Sequence, residues 1–121
     1  MDPTQITVDP ASDVPPYEQV RTRVVDLVAS QELRVGDRLP PIRALASALG
    51  VAAGTVARAY RELEAAGVVE TRGRAGTVVA GTAVTARARL EQAARAFADQ
   101  VRDTGLPEEE LVDAVRTALQ A

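Results

Sequence analysis

The chain has 121 residues, of which 46% are hydrophobic, 26% charged and 2% aromatic, with a formal net charge of −3. That length bounds it to one domain or a small domain with an appendage, with a modest core of Val, Leu, Ile and Ala that favours helices. Cysteine, histidine and lysine are absent, which excludes disulfides, thiol chemistry, most zinc sites, a histidine base and a lysine-bearing phosphate loop.

The start of the chain, 1-MDPTQITVDPASDVPP-16, is acidic and proline-bearing, unlike a signal peptide. No apolar run approaches the roughly 18 residues of a membrane span, so a cytoplasmic location is expected. Residues 1–14 alternate around Ile6 and Val8 and read as an extended N-terminal arm limited by Pro3 and Pro10. From Pro16, the positions Tyr17, Val20, Val24, Leu27 and Val28 recur at helical spacing, predicting an amphipathic helix over 16–31. The segment 34-RVGDRLPP-41 reads as a turn. Ile42, Leu45, Ala46 and Leu49 then mark a short helix ended by Gly50.

A four-residue gap leads into a third helix, on which Val56, Ala59, Tyr60 and Leu63 share one face and Gly67 stands at the C-terminal stop. Two short helices joined by a tight turn form a helix-turn-helix pattern. The runs 68-VVETR-72 and 77-TVVA-80, joined by 73-GRAG-76, predict a hairpin beside the third helix. Beyond Gly81 the positions Leu90, Ala94, Phe97 and Val101 are spaced 4, 3 and 4 apart, a stripe suited to packing on another helix. Gly105 stops it. The last segment, 106-LPEEELVDAVRTALQA-121, opens with Pro107 and three glutamates and carries Leu111, Val112, Val115 and Leu119 on one face.

The fold expected is therefore mainly α with a small β-hairpin: an arm over 1–14, a winged helix-turn-helix over 15–81 and a two-helix segment over 82–121. All fourteen cations are arginines, whose forked guanidinium suits phosphate. Between Arg34 and Gly76 seven arginines face four acids, a local +3, whereas residues 82–121 carry five arginines and seven acids, or −2. In a helix-turn-helix the start of the second helix reaches base edges while nearby arginines and backbone N–H groups hold phosphates. Arg43, Thr55, Arg58, Arg61, Arg72 and Arg74 occupy positions for that division of labour, and a solvated face is the plain alternative for each.

The segment 73-GRAG-76 admits three readings: a bare hairpin turn, the GXXG loop of a KH RNA-binding domain, and a DNA wing. KH loops join two helices, whereas the flanks here are β-prone, and the wing also accounts for the adjoining arginines. The cluster Glu108, Glu109, Glu110 and Asp113 is explained by the helix dipole rather than by a carboxylate site. No enzyme, cofactor or metal is expected.

The segments 15-PPYEQV-20, 36-GDRLPPIRALASALGV-51 and 55-TVARAYRELEAAGVVETRGRAGTVV-79 resemble the DNA-binding domain of the GntR family of bacterial transcription regulators. The two-helix tail resembles the YtrA-type subfamily, in which that hairpin mediates dimerisation. The resemblance implies that Arg43, Ala53, Gly54, Thr55 and the helix positions through Arg58 lie against DNA, with Gly76 and its neighbours in the wing. It also implies a dimerisation surface of Leu90, Ala94, Phe97, Val101, Leu111, Val115 and Leu119. Family members often carry a serine where Pro41 stands, and polar residues where this chain has Ala52, Ala53 and Gly54. Readout is therefore expected to shift toward Arg43, Thr55, Arg58 and the wing, with groove shape contributing more.

The function expected is a homodimeric, sequence-specific regulator of transcription, a repressor, bound to an inverted repeat of double-stranded DNA and nucleoid-associated while bound. Two helices alone enclose no pocket of roughly 300–1,000 Å³, so a small-molecule effector is expected only at the dimer interface. The alternative is a winged-helix protein-interaction module with weak or no specific DNA binding, motivated by the net acidity and the unpolar 52-AAG-54.

Overall fold

In the computed structural model, residues 5–121 are described; residues 1–4 of the expected arm lie outside them. The first helix, α1 (Pro16–Ala29), begins where Pro16 has no N–H to lose and has its φ preset for a helix. Its face of Val20, Val24, Leu27 and Val28 is buried. The helix stops two residues before the expected end. Gln31 turns left-handed at φ 65°, and Leu33 N–H closes the turn by donating to the Leu27 carbonyl at 2.9 Å.

The arm is neither extended nor detached. Residues 10–14 are turns and bends, Ile6 is fully buried in the core and Val8 packs against it. The Gln19 amide staples this segment to α1, accepting from Asp9 N–H at 2.7 Å and donating to the Asp9 and Val14 carbonyls at 3.1 and 2.8 Å. Arg23 Nε adds a bond to the Gln5 carbonyl at 2.8 Å.

The second helix, α2 (Ile42–Leu49), ends at Gly50, whose φ of 69° is the left-handed conformation that glycine adopts without a Cβ penalty. Only Gly50, Val51 and Ala52 separate it from α3 (Ala53–Ala65), so the connection is one residue shorter than expected. Ala53 and Gly54 thereby become the first turn of α3. Its buried face is the one the spacing predicts: Val56, Ala59, Tyr60 and Leu63. The Tyr60 hydroxyl stays satisfied in the core by donating to the Pro40 carbonyl at 2.7 Å, and burial pushes its pKa well above the usual tyrosine value.

The strands β1 (Val69–Thr71) and β2 (Thr77–Val79) pair antiparallel in the register Val69–Val79, Glu70–Val78 and Thr71–Thr77. A third segment, expected as a plain turn, joins them. Arg38 bridges to Val78, with Gly36 N–H donating to the Val79 carbonyl at 2.9 Å and Leu39 N–H to the Thr77 carbonyl at 2.8 Å. Gly36, Asp37 and Arg38 carry no strand signal of their own, so the β2 edge imposes that pairing from outside.

After Gly81 the chain enters α4 (Ala83–Val101), capped by Thr82 and Thr85 in a reciprocal capping box. The Thr82 hydroxyl donates to the Gly67 carbonyl at 2.6 Å and the buried Thr85 hydroxyl to the Ala80 carbonyl at 2.8 Å, which ties the helix start to the wing. Helix α4 packs along α1. A 3-10 turn over Arg102–Thr104 and a left-handed Gly105 lead to α5 (Glu108–Leu119), in which no residue is buried.

Candidate nucleic-acid interface

The four buried positions of α3 lie on one side of the helix, so the 3.6-residue period puts Gly54, Arg58, Arg61 and Ala65 on the opposite side. Those four residues are exposed, as are Ala52 and Ala53 just before them. Arg43 is exposed in the first turn of α2. Thr55 is half-buried, and its hydroxyl has no hydrogen bond among the described residues. A cleft of about 150 Å³ lined by Ile42, Arg61, Thr71 and Thr77 shows that the start of α2, the middle of α3 and the wing converge. Glu64 fixes the angle between α3 and β1 by accepting from the Thr71 N–H at 3.0 Å and hydroxyl at 2.8 Å.

The wing tip is a 3-10 turn over Gly73–Ala75, closed by the Arg72 N–H donating to the Gly76 carbonyl at 2.8 Å. Gly73 and Gly76 adopt φ of 49° and 75°, which explains glycine at both positions. Its flanks are strands, which removes the KH reading. Arg38 holds the tip from the side: its Nε donates to the Ala75 carbonyl at 2.7 Å and a terminal nitrogen to the Arg74 carbonyl at 2.9 Å. No sequence signal marks Arg38 for this role, because its partners are backbone atoms more than thirty positions away.

The expected DNA-contacting arginines fall into two groups. The Arg58 guanidinium sits over the Tyr17 ring, 3.6 Å from its centroid, and its Nε donates to Glu62 at 3.2 Å. Glu62 also accepts from Arg21 on α1. Arg72 donates to Glu70 at 2.7 Å. In contrast, the side chains of Arg43, Arg61 and Arg74 have no hydrogen bond or ion pair among the described residues, which leaves them available to phosphate. The i, i+4 spacing of Arg58 and Glu62 is legible in the sequence, whereas the Tyr17 platform is a tertiary contact. Desolvation raises the Glu62 carboxyl, but hydrogen bonds from Arg21 and Arg58, and then their charges, outweigh it and hold the group below its usual range.

The family profile described as "Bacterial regulatory proteins, gntR family" matches residues 16–79, the stretch that builds α1, the helix-turn-helix and the wing. The chain belongs to the GntR family. It is 48% identical over 101 residues to the HTH-type transcriptional regulator Rv1152 of Mycobacterium tuberculosis, covering 84% of this chain and 83% of that protein. It is 41% identical over 81 residues to the HTH-type transcriptional repressor YtrA of Bacillus subtilis, covering 66% of this chain and 62% of the relative. Among solved structures it is similar to the GntR-family transcription factor YtrA from Sulfolobus acidocaldarius, with a TM-score of 0.62 and 36% identity over 78% of this chain and 98% of that one. A transcriptional regulator from Oenococcus oeni matches with a TM-score of 0.60 and 30% identity over 93% and 97% of the two chains. This GntR protein is therefore a transcriptional regulator with a DNA-binding winged helix-turn-helix, and the YtrA resemblance extends into the C-terminal helices.

Two expected surfaces differ in how the fold treats them. The positions expected to face DNA are gathered around α2, α3 and the wing. The expected dimerisation positions are only partly brought together: Phe97, Val101, Leu111 and Val115 line a shared apolar groove of about 600 Å³ between α4 and α5. Leu90 and Leu119 stand away from it at 61% and 80% exposure, and Ala94 is exposed outside the groove. Among the described residues no helix is long and apolar enough to cross a membrane.

Proposed function

We propose that this GntR regulator is a homodimeric repressor that binds an inverted-repeat operator, works in the cytoplasm and is nucleoid-associated while bound. The observation that carries the reading is the exposed first turn of α3 beside three arginines without an internal partner, Arg43, Arg61 and Arg74. A two-fold dimer presents two such surfaces, so the half-sites lie roughly 10 bp apart centre to centre, about one turn of DNA. The start of α3 enters the major groove, where Ala53 and Gly54 allow close backbone approach and an alanine touches a thymine methyl. Arg43 and Thr55 read base edges, while Arg61, Arg74 and the Gly76 backbone hold phosphates along the wing. Arg58 and Arg72 contribute from positions set by Glu62 and Glu70.

Division of labour at residues 81 and 82 supports the dimer. The buried hydrophobic cluster draws its residues from positions 6–79, whereas α4 and α5 present an apolar groove to solvent. The partner of that groove is a second copy. Fluorescence anisotropy on the protein's own promoter region and on a scrambled duplex, each at two salt concentrations, tests the DNA reading. A large preference for the promoter is expected; no binding at low salt would replace the regulator with a protein-interaction module. Phe97→Asp should give a monomer in sedimentation with weakened operator affinity, and a dimer surviving that change would move the interface elsewhere.

A further inference from the structure

We propose that the cleft between the end of α1 and the start of α4 binds a small organic anion, with an acidic head group on Arg34 and Arg89 and an apolar body on Val28, Leu33 and Val35. The cleft is an open one of about 400 Å³ and lies where the turn after α1 meets the wing-to-α4 linker at Gly81 and Thr82. That volume falls within the roughly 300–1,000 Å³ of small-molecule sites. Unlike the interface pocket expected for an effector, it is built within one chain, because α1 supplies the wall that the two C-terminal helices lack.

Charge decides the ligand class. Two arginines and no carboxylate line the cleft. The acids nearest to Arg34 in sequence are turned to other partners: Glu32 accepts from the Ser30 hydroxyl at 3.1 Å, and Asp37 accepts from the Arg34 backbone N–H at 2.8 Å. The Arg34 guanidinium has no partner among the described residues. Arg89 meets a neutral one: with its amide oriented by its surroundings, Gln31 accepts from the two Arg89 nitrogens at 2.6 and 2.8 Å. An anion is the missing complement to both cations.

Gln31 is a second, independent sign. Among the described residues it is the one non-glycine with positive φ, at the helix-end position where glycine carries no Cβ strain. Keeping a side chain there costs roughly 1 kcal/mol of backbone strain, and that side chain is spent on orienting Arg89 at the cleft wall. Gly81 contributes differently: a Cβ on it would stand 3.2 Å from the Val35 side chain, so glycine keeps the apolar wall in place.

Arg34 belongs to the winged unit and Arg89 to α4, so one anion held by both would fix the direction in which α4 leaves the DNA-binding unit. In a dimer that direction sets the separation of the two recognition helices. This coupling rests on the proposed dimeric repressor; binding in the cleft does not, so binding is measured first and without DNA. The full chain, labelled with ¹⁵N, is titrated with octanoate and separately with inorganic phosphate. Octanoate should shift the amides of Gln31, Thr85 and Ala86 saturably, and each of Arg34→Ala and Arg89→Ala should weaken it by roughly tenfold, the worth of one charge-assisted hydrogen bond. Ala86→Leu, which narrows the cleft and leaves both arginines, should abolish those shifts while the spectrum stays dispersed. Absence of saturable shifts, or equal affinity in the Arg34→Ala/Arg89→Ala variant, overturns the site. Phosphate binding the same amides as tightly as octanoate overturns the organic class of the ligand. A failure of the dimer or of operator binding would leave the titration unchanged, so the two ideas fail separately.

Discussion

The winged unit and the C-terminal helices are made from similar residues but use them in opposite ways. In the first, Val20, Val24, Leu27, Leu45, Val56 and Leu63 are each at most 1% exposed and meet in one cluster that the arm seals with Ile6. In the second, Thr85 is the only buried residue, and large apolar side chains such as Leu90, Leu106 and Leu119 face water at half exposure or more. Helices are stabilised chiefly by burying an apolar stripe, and in the C-terminal helices most of that stripe stays open to solvent within the single chain. The comparison teaches that hydrophobic periodicity marks an apolar face, but not whether the fold of the single chain buries it.

The sharpest way to break this contrast is a pair of truncations read by chemical denaturation. Leu45→Ala should cost about 2–5 kcal/mol, because the cavity it leaves is enclosed by packed neighbours. Leu90→Ala, at dilution where any dimer has dissociated, should stay within about 0.5 kcal/mol. Equal losses would mean that α4 belongs to the same core. On the DNA-facing side, Arg43→Ala should weaken operator binding by roughly 1–3 kcal/mol and relax discrimination at one base pair. A uniform loss on all duplexes would make Arg43 a phosphate anchor.

Within the wing, Arg74→Ala should lower the slope of log affinity against log salt by about 1, the loss of a single phosphate contact. Arg38→Ala should weaken DNA binding while leaving that slope nearly unchanged, because its guanidinium is occupied by the Arg74 and Ala75 carbonyls rather than by phosphate. Identical slopes for both variants would erase the distinction between a contacting and a positioning arginine.

The smallest effect concerns Glu62. Its folded pKa is depressed, so its contribution is complete above the unfolded carboxylate value and is lost as pH falls through the lower folded value. Glu62→Gln should flatten the acid side of the stability curve and leave the neutral side's shape intact. An unchanged acid limb would show that the bonds to Arg21 and Arg58 persist without the charge.

Much of this was legible in the sequence because it is local. Val56, Ala59, Tyr60 and Leu63 announce their face by spacing alone, and Gly50, Gly67 and Gly105 mark left-handed stops that few other residues adopt without strain. The KH reading and the DNA wing also separate locally, since β-prone residues flank the tip. The arm shows where this reasoning stops: the alternation of Ile6 and Val8 is visible, but its burial against α1 goes with the Gln19 staple to Asp9, ten positions away.

By itself, then, the sequence determined the helices, the wing glycines, the basic middle third and the family, because each is encoded in short-range pattern or residue chemistry. Only the tertiary structure decided how Arg58 is held: it looks like Arg61 in the chain, yet it lies over the ring of Tyr17, more than forty residues earlier. It also decided that 36–39 pairs with β2, and that Arg34 and Arg89 meet across one cleft. The physical reason is the same in each case: a charge, an edge or a cavity acquires its meaning from atoms that folding brings near, and sequence separation carries no record of that distance.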